Sequence, residues 1–167
     1  FEDKPVTDSY VTFAGEVKNH ITLKLPLGMT VKEALDLAGG VTVNGPYVVI
    51  NGGPMMGKAM TSTDVPVCKG TNSVTILSGE DAVRKEPQPC IRCAKCVSAC
   101  PMGLEPYLLA KLSAVSNWER CESEDIVSCI ECGSCQFTCP AHRPLLDNIR
   151  LGKQTVMGII RSRQAKK

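Results

Sequence analysis

The sequence predicts an α+β chain in two parts: a small mixed sheet with one helix, then a helical module built around cysteine loops. Three observations predict it. Apolar residues alternate with period two in several short runs of the first half, as half-buried strands require. Nine of the ten cysteines fall between Cys90 and Cys139. The composition changes near residues 78–89, where Pro87-Gln88-Pro89 reads as a connector. The expected divisions are 1–83 for the first part, 84–150 for the second, and 151–167 for a C-terminal helix and basic tail.

The elements follow in chain order. Tyr10-Val11-Thr12-Phe13 and Ile21-Thr22-Leu23-Lys24-Leu25 read as two strands joined by a turn over Glu16 to His20. Thr30-Val31-Lys32-Glu33 fits a capping box at a helix start, with Val31, Ala34, Leu35 and Ala38 as the apolar face and Gly39-Gly40 as the stop. Tyr47-Val48-Val49-Ile50 and Ser73-Val74-Thr75-Ile76-Leu77 are further strands. Between them lies Asn51-Gly52-Gly53-Pro54-Met55-Met56-Gly57. This loop reads as a tight turn ahead of a ligand cradle, because it lacks the spacing of a dinucleotide fingerprint or a P-loop. Met55-Met56 reads as core filler. Hairpin, helix, strand, loop, strand is the order of a β-grasp-like domain. In the second part, Leu104 to Trp118 reads as a helix with Leu108, Leu112 and Val115 on one face, and Glu122 to Ser128 as a short second helix. Pro144 suits the first turn of a last helix whose stripe is Leu145, Ile149, Val156 and Ile160.

Composition excludes several classes. The net charge is +2, and no basic stripe interleaved with aromatics suggests nucleic acid. No run of apolar residues is long enough to span a bilayer. Phe1-Glu2-Asp3-Lys4-Pro5 is neither an initiator methionine nor a signal peptide, and reads as internal to a longer chain. No Ser/His/Asp set, cysteine–base pair or paired carboxylates suggests a substrate-binding catalytic site. His20 and His142 are lone, and core, surface or hydrogen-bonding roles are read ahead of ligation; His142-Arg143, just after Cys139-Pro140, is a candidate shield for whatever the cysteines hold.

The cysteines form an internal repeat. Cys90, Cys93, Cys96 and Cys100 with Pro101, and Cys129, Cys132, Cys135 and Cys139 with Pro140, both follow C-x₂-C-x₂-C-x₃-C-P. That is the spacing of bacterial-type ferredoxins, in which the fourth cysteine of each run ligates the other cluster. The expected ligands are therefore Cys90, Cys93, Cys96 and Cys139 for one [4Fe–4S] cluster, and Cys129, Cys132, Cys135 and Cys100 for the other. Structural zinc uses two separated C-x₂-C pairs, so a third cysteine at this spacing is superfluous to it. A disulfide framework would spread its cysteines rather than bunch them. A four-thiolate cluster is anionic, so Arg92 and Lys95 in the first loop, against Glu131 and Ser134 in the second, suggest a higher potential for the first-loop cluster. Outside the runs, Cys68 reads as a buried small apolar residue and Cys121 as a helix-surface thiol.

With Asn51-Gly52-Gly53-Pro54-Met55-Met56-Gly57 ahead of the two runs, and with Cys129-Ile130-Glu131-Cys132-Gly133-Ser134-Cys135 and Arg143-Pro144-Leu145, the chain resembles the C component of the Rnf-type electron transport complexes. The resemblance implies a β-grasp domain of the soluble-ligand-binding (SLBB) type before a helical dicluster domain, with the eight cysteines above as ligands. It also implies a peripheral subunit on the cytoplasmic side of the bacterial inner membrane. The partners would be other subunits of a membrane complex and ferredoxin-type electron carriers. That complex moves electrons between ferredoxin and NAD and couples this to Na⁺ or H⁺ transport; FMN and NAD would be held by an upstream domain that this sequence lacks. Corrinoid (cobalamin) reductases have a similar domain order and are the alternative, together with a binding module whose clusters are only structural.

Overall fold

The computed structural model describes residues 3–165, so Phe1 and Glu2 of the N-terminal segment and the last two lysines of the basic tail lie outside the described residues. The chain separates into two compact units, Phe1–Arg84 and Lys85–Lys167.

The first unit is a five-stranded mixed sheet. Its strands are β1 (Asp8–Gly15), β2 (Thr22–Pro26), β3 (Tyr47–Asn51), β4 (Lys58–Ala59) and β5 (Ser73–Ser78), in the order β2-β1-β5-β3-β4. The β1–β2 hairpin is antiparallel, with Asp8 opposite Pro26 and Thr12 opposite Thr22. β1 and β5 run parallel at the centre, and β5 pairs antiparallel with β3. This is the β-grasp order. Helix α1 (Val31–Leu37) covers one face. Alternation sends Val11 and Phe13 of β1 and Val74 and Ile76 of β5 into that core, where Val31, Ala34, Leu35 and Ala38 meet them. The capping box is formed: the Thr30 hydroxyl accepts from the Glu33 N–H at 3.2 Å, and the Glu33 carboxylate accepts from the Thr30 N–H at 2.9 Å. Gly39, at φ 92°, ends the helix.

The glycine loop is a structural turn. Gly57 has its N–H on the Gly53 carbonyl at 2.7 Å, and a Cβ there would sit 2.3 Å from Ile50 Cγ2. Thr75, buried on the central strand, donates its hydroxyl to the Gly52 carbonyl at 2.9 Å and ties the loop down. Met55 and Met56 are not core filler; both are exposed, because the turn carries them away from the sheet. The pairing of β4 with Ile50 and Asn51 was not expected, since two residues carry no periodicity.

The second unit is helical. Its elements are α2 (Lys95–Ser98), α3 (Pro106–Ala114), α4 (Trp118–Ser123), α5 (Ser134–Phe137) and α6 (Leu145–Ala165). The expected helix over 104–118 is two helices: Pro106 starts α3, Ser116 turns into the left-handed region at φ 55°, and Asn117 caps α4. The buried face of α3 is accordingly Leu109, Ala110, Leu112 and Ser113, while Val115 is exposed at the turn. The helix expected over 122–128 is broken at Asp125, φ 56°, leaving a 3₁₀ turn over Ile126–Ser128. Helix α6 begins immediately after Pro144 and passes residue 150 without a break. Leu145, Ile149 and Val156 are buried in its stripe and Ile160 is half-buried.

Cys68 and Cys121 exchange the roles expected of them. Cys68 is exposed because its neighbour Val67 fills the core. Cys121 is fully buried beside Ser113, Sγ to Oγ 3.7 Å. Among the described residues, no helix is long and apolar enough to cross a membrane.

Candidate metal centre

The two cysteine runs repeat in backbone conformation as well as in sequence. Arg92 and Ala94 of the first run, at φ 57° and 60°, correspond to Glu131 and Gly133 of the second, at φ 57° and 81°. Each pair of left-handed residues leads into a single helical turn, α2 or α5. The closing bonds match: Val97 N–H to Ala94 O at 2.9 Å and Cys100 N–H to Val97 O at 3.0 Å, against Gln136 N–H to Gly133 O at 3.1 Å and Cys139 N–H to Gln136 O at 3.2 Å. After each fourth cysteine, proline turns the chain, and Gly103 or His142 donates back to the cysteine carbonyl. Left-handed conformation is costly for arginine, alanine and glutamate, and persists only where the surroundings impose it. Successive left- and right-handed residues gather backbone N–H groups into an anion-binding concavity of the kind found at Fe–S sites. The Glu131 N–H, 3.4 Å from Cys129 Sγ, is one such donor.

The chain crossing brings the eight cysteines into two quartets. Cys90, Cys93 and Cys96 line a cavity of about 620 Å³ with Cys139 from the second run. Cys129, Cys132 and Cys135 line a much smaller one, about 20 Å³, with Cys100 from the first. All ten cysteines are free thiols. Among the described residues, no three His, Cys, Asp or Glu side chains converge as they would on a single ion; the thiols border a space. Four soft thiol donors around a space fit an iron–sulfur cluster. At both sites the donor set carries the case.

The two sites differ in electrostatics. Arg92, Lys111 and Arg143 line the first cavity and no carboxylate does. The lining of the second carries no charged side chain. Glu131 beside it is held by two cations of α6, Arg150 Nε at 3.1 Å and Lys153 Nζ at 3.6 Å, and Lys153 also donates to the Cys129 carbonyl at 2.6 Å. Burial pushes the Cys96 and Cys129 thiols up, and pushes Cys135 up to about 11. The Ser134 hydroxyl, 3.5 Å away, favours the Cys132 thiolate and pulls that thiol down. Buried thiols of this kind lose their protons on binding cationic iron.

Sequence reasoning missed Tyr107 and Lys111, one turn apart on α3, and the Arg150–Lys153 pair on α6. Their spacing gives no motif; only the fold of the helices over the loops brings them in. His142 is exposed and does not line either cavity, whereas Arg143 lines the first. His20 bonds the Gly15 carbonyl at 2.9 Å in the hairpin turn of the first unit.

Residues 10–59 match the SLBB domain family and residues 82–140 the 4Fe-4S dicluster domain family. The chain is 40% identical over 154 residues to the C component of the Na(+)-translocating ferredoxin:NAD(+) oxidoreductase complex of Acetobacterium woodii, a match that covers 92% of this chain and 34% of that protein. It is 35% identical over 156 residues to the C component of the ion-translocating oxidoreductase complex of Methanosarcina acetivorans, covering 93% of this chain and 35% of that protein. It is also 35% identical over 158 residues to the cobalamin reductase of Citrobacter freundii, covering 81% and 34%. The chain thus spans about a third of the length of these curated relatives. It belongs with them as an SLBB domain followed by a 4Fe-4S dicluster domain, the region found in the C component of the ion-translocating, Rnf-type oxidoreductases.

Proposed function

We propose that this chain relays electrons through two [4Fe–4S] clusters, one bound by Cys90, Cys93, Cys96 and Cys139, the other by Cys129, Cys132, Cys135 and Cys100. The larger setting is the peripheral C component of a membrane-bound, ion-translocating ferredoxin:NAD oxidoreductase, on its cytoplasmic side. Its partners there are the other subunits and ferredoxin-type carriers, with FMN and NAD held by a domain outside this chain. When bound, each cluster supplies a one-electron redox centre. The chain's own residues supply the thiolates, the inward N–H groups, the cations on one side and the apolar cover on the other. The observation that carries the reading is the crossed lining of the cavities: Cys139 borders the cavity of the first run and Cys100 that of the second.

Single-cysteine variants test it by iron and sulfide analysis and by EPR of the reduced protein. The parent chain holds about eight irons. Cys93→Ser and Cys139→Ser should perturb the same signal, and Cys132→Ser and Cys100→Ser the other. If Cys139→Ser matches Cys132→Ser instead, the crossed assignment is wrong. The similarity to a cobalamin reductase supports a second reading, a corrinoid-reducing flavoprotein. Co-purification with membrane subunits favours the first reading; corrin-dependent reductase activity favours the second. Redox silence of the loaded clusters would reduce the chain to a binding module.

A further inference from the structure

The two halves of the repeat differ just after the third cysteine of each run. The step along the chain that carries Cys96 to Cys135 also carries Val97 to Gln136 and Tyr107 to Leu146. Tyr107 and Leu146 are each the second residue of a helix, α3 and α6, and each lines the cavity of its own run together with that third cysteine. A backbone N–H in the first turn of a helix has no partner inside the helix and is left for one outside it. In the first half that partner is sulfur. Burial pushes the Cys96 thiol up, and the Tyr107 N–H, directed at the sulfur, opposes burial by favouring the ionised form. In the second half the partner is an amide. Gln136 is half-buried, and its Oε1 accepts from the Leu146 N–H at 2.9 Å. Val97, at the equivalent position, is apolar and cannot compete with Cys96 for the Tyr107 N–H.

A hydrogen bond to a ligand sulfur stabilises the added negative charge of the reduced state and raises a site's potential. We propose that Gln136 is a positioning residue that keeps the second site at the lower potential, by holding the Leu146 N–H away from Cys135. This rests on the relay reading and deepens it. With the second site the lower of the two, an electron passes downhill from the second site to the first, and the second is oxidised as the first is reduced. The device does not depend on the charges around the first cavity, because the amide is neutral and the donor it diverts belongs to the backbone. A side chain that only capped α6 would change stability and leave both potentials where they are.

The test is an EPR-monitored redox titration of the cluster-loaded full chain carrying Gln136→Val, which puts the first half's residue into the second. The second-site midpoint should rise by the equivalent of a tenfold change in its reduction equilibrium, about 59 mV for one electron, with the first site unmoved. After exchange into heavy water, electron spin-echo modulation of the reduced second site should gain a coupled deuteron, that of Leu146. The reverse change, Val97→Gln, should lower the first-site midpoint and lose a coupled deuteron there. Gln136→Glu, which keeps the acceptor, should show no rise. Unmoved midpoints and unchanged deuteron couplings in variants that hold about eight irons overturn the role of Gln136 and leave the relay intact. If Gln136→Val retains too little iron to titrate, Val97→Gln decides alone, and an unmoved first-site midpoint there overturns the proposal. A parent chain whose loaded sites show no reversible reduction overturns the relay itself.

Discussion

On the proposed cluster assignment, the charge at Arg92 and Lys111 sets a redox property. Both line the first cavity with no carboxylate among them, so both stabilise added negative charge at that site. Their partners by repeat, Glu131 and Arg150, cancel one another. The sequence contrast between Arg92 and Glu131 therefore understates one thing and overstates another: Lys111 adds to the first site, while Glu131 is not a bare charge at the second. Arg92→Gln and Lys111→Gln should each lower the first site's midpoint by on the order of 30 mV, about half the shift of a tenfold change for one electron. EPR-monitored titration reads this directly, with the second site as the internal reference. Unchanged midpoints would mean that water screens both side chains fully. The reversal of Cys68 and Cys121 is a lesson at the same scale. Either position tolerates a small thiol, and only burial by α6 and Ile126 decides which one is inside.

Helix α1 was legible in the sequence because its start and stop are chemical. Thr30 and Glu33 satisfy each other's backbone donors, and Gly39 takes the left-handed conformation that ends the helix. Thr30→Ala should destabilise the first unit by about 1 kcal/mol, seen as a lower denaturation midpoint. The hydrogen bonds from the Thr30 backbone N–H and then from its hydroxyl hold the Glu33 carboxyl below its ordinary value of 4.5. A depressed carboxyl stabilises the fold above its unfolded value and loses that contribution as pH falls through the folded one. Stability of the first unit should therefore decline below pH 4.5, and the decline should be shallower in Glu33→Gln. The pairing of α3 and α6 left no such signal. Ser113 and Gly152 occupy equivalent positions of the repeat, and a Cβ on Gly152 would lie 2.1 Å from Ser113 Oγ and 2.8 Å from Ile126 Cδ1. Alanine would gain about 1 kcal/mol in helix propensity, but forcing the helices apart costs about 1–3 kcal/mol. Gly152→Ala should thus be a net loss, measured by denaturant unfolding of the second unit.

The whole molecule is two units with two different sources of stability. The first has a sheet-and-helix core of twelve buried residues, Val11 to Ile76, that contains no cysteine. The core of the second includes Cys121 and Cys135 as buried members and Cys96, Cys129 and Cys139 packed at its edge, so thiols of both cysteine runs are part of its interior. Removing iron with a chelator should melt the helices around the cysteine loops and leave the amide protection of β1 and β5 intact, as read by hydrogen exchange. Loss of protection in both units together would show that the sheet depends on the clusters. By itself the sequence determined the strand pattern of the first unit, the α1 cap, the stripe of α6 and the two cysteine runs. These follow from local rules: period two, capping chemistry, and a ligand spacing that few other structures need. Only the tertiary structure decided where helices break at Ser116 and Asp125, which lone cysteine is buried, and which cations face which loop. Those depend on residues far apart in the chain that meet only when α3 and α6 cross, and no local pattern encodes a contact between two helices that each look complete alone.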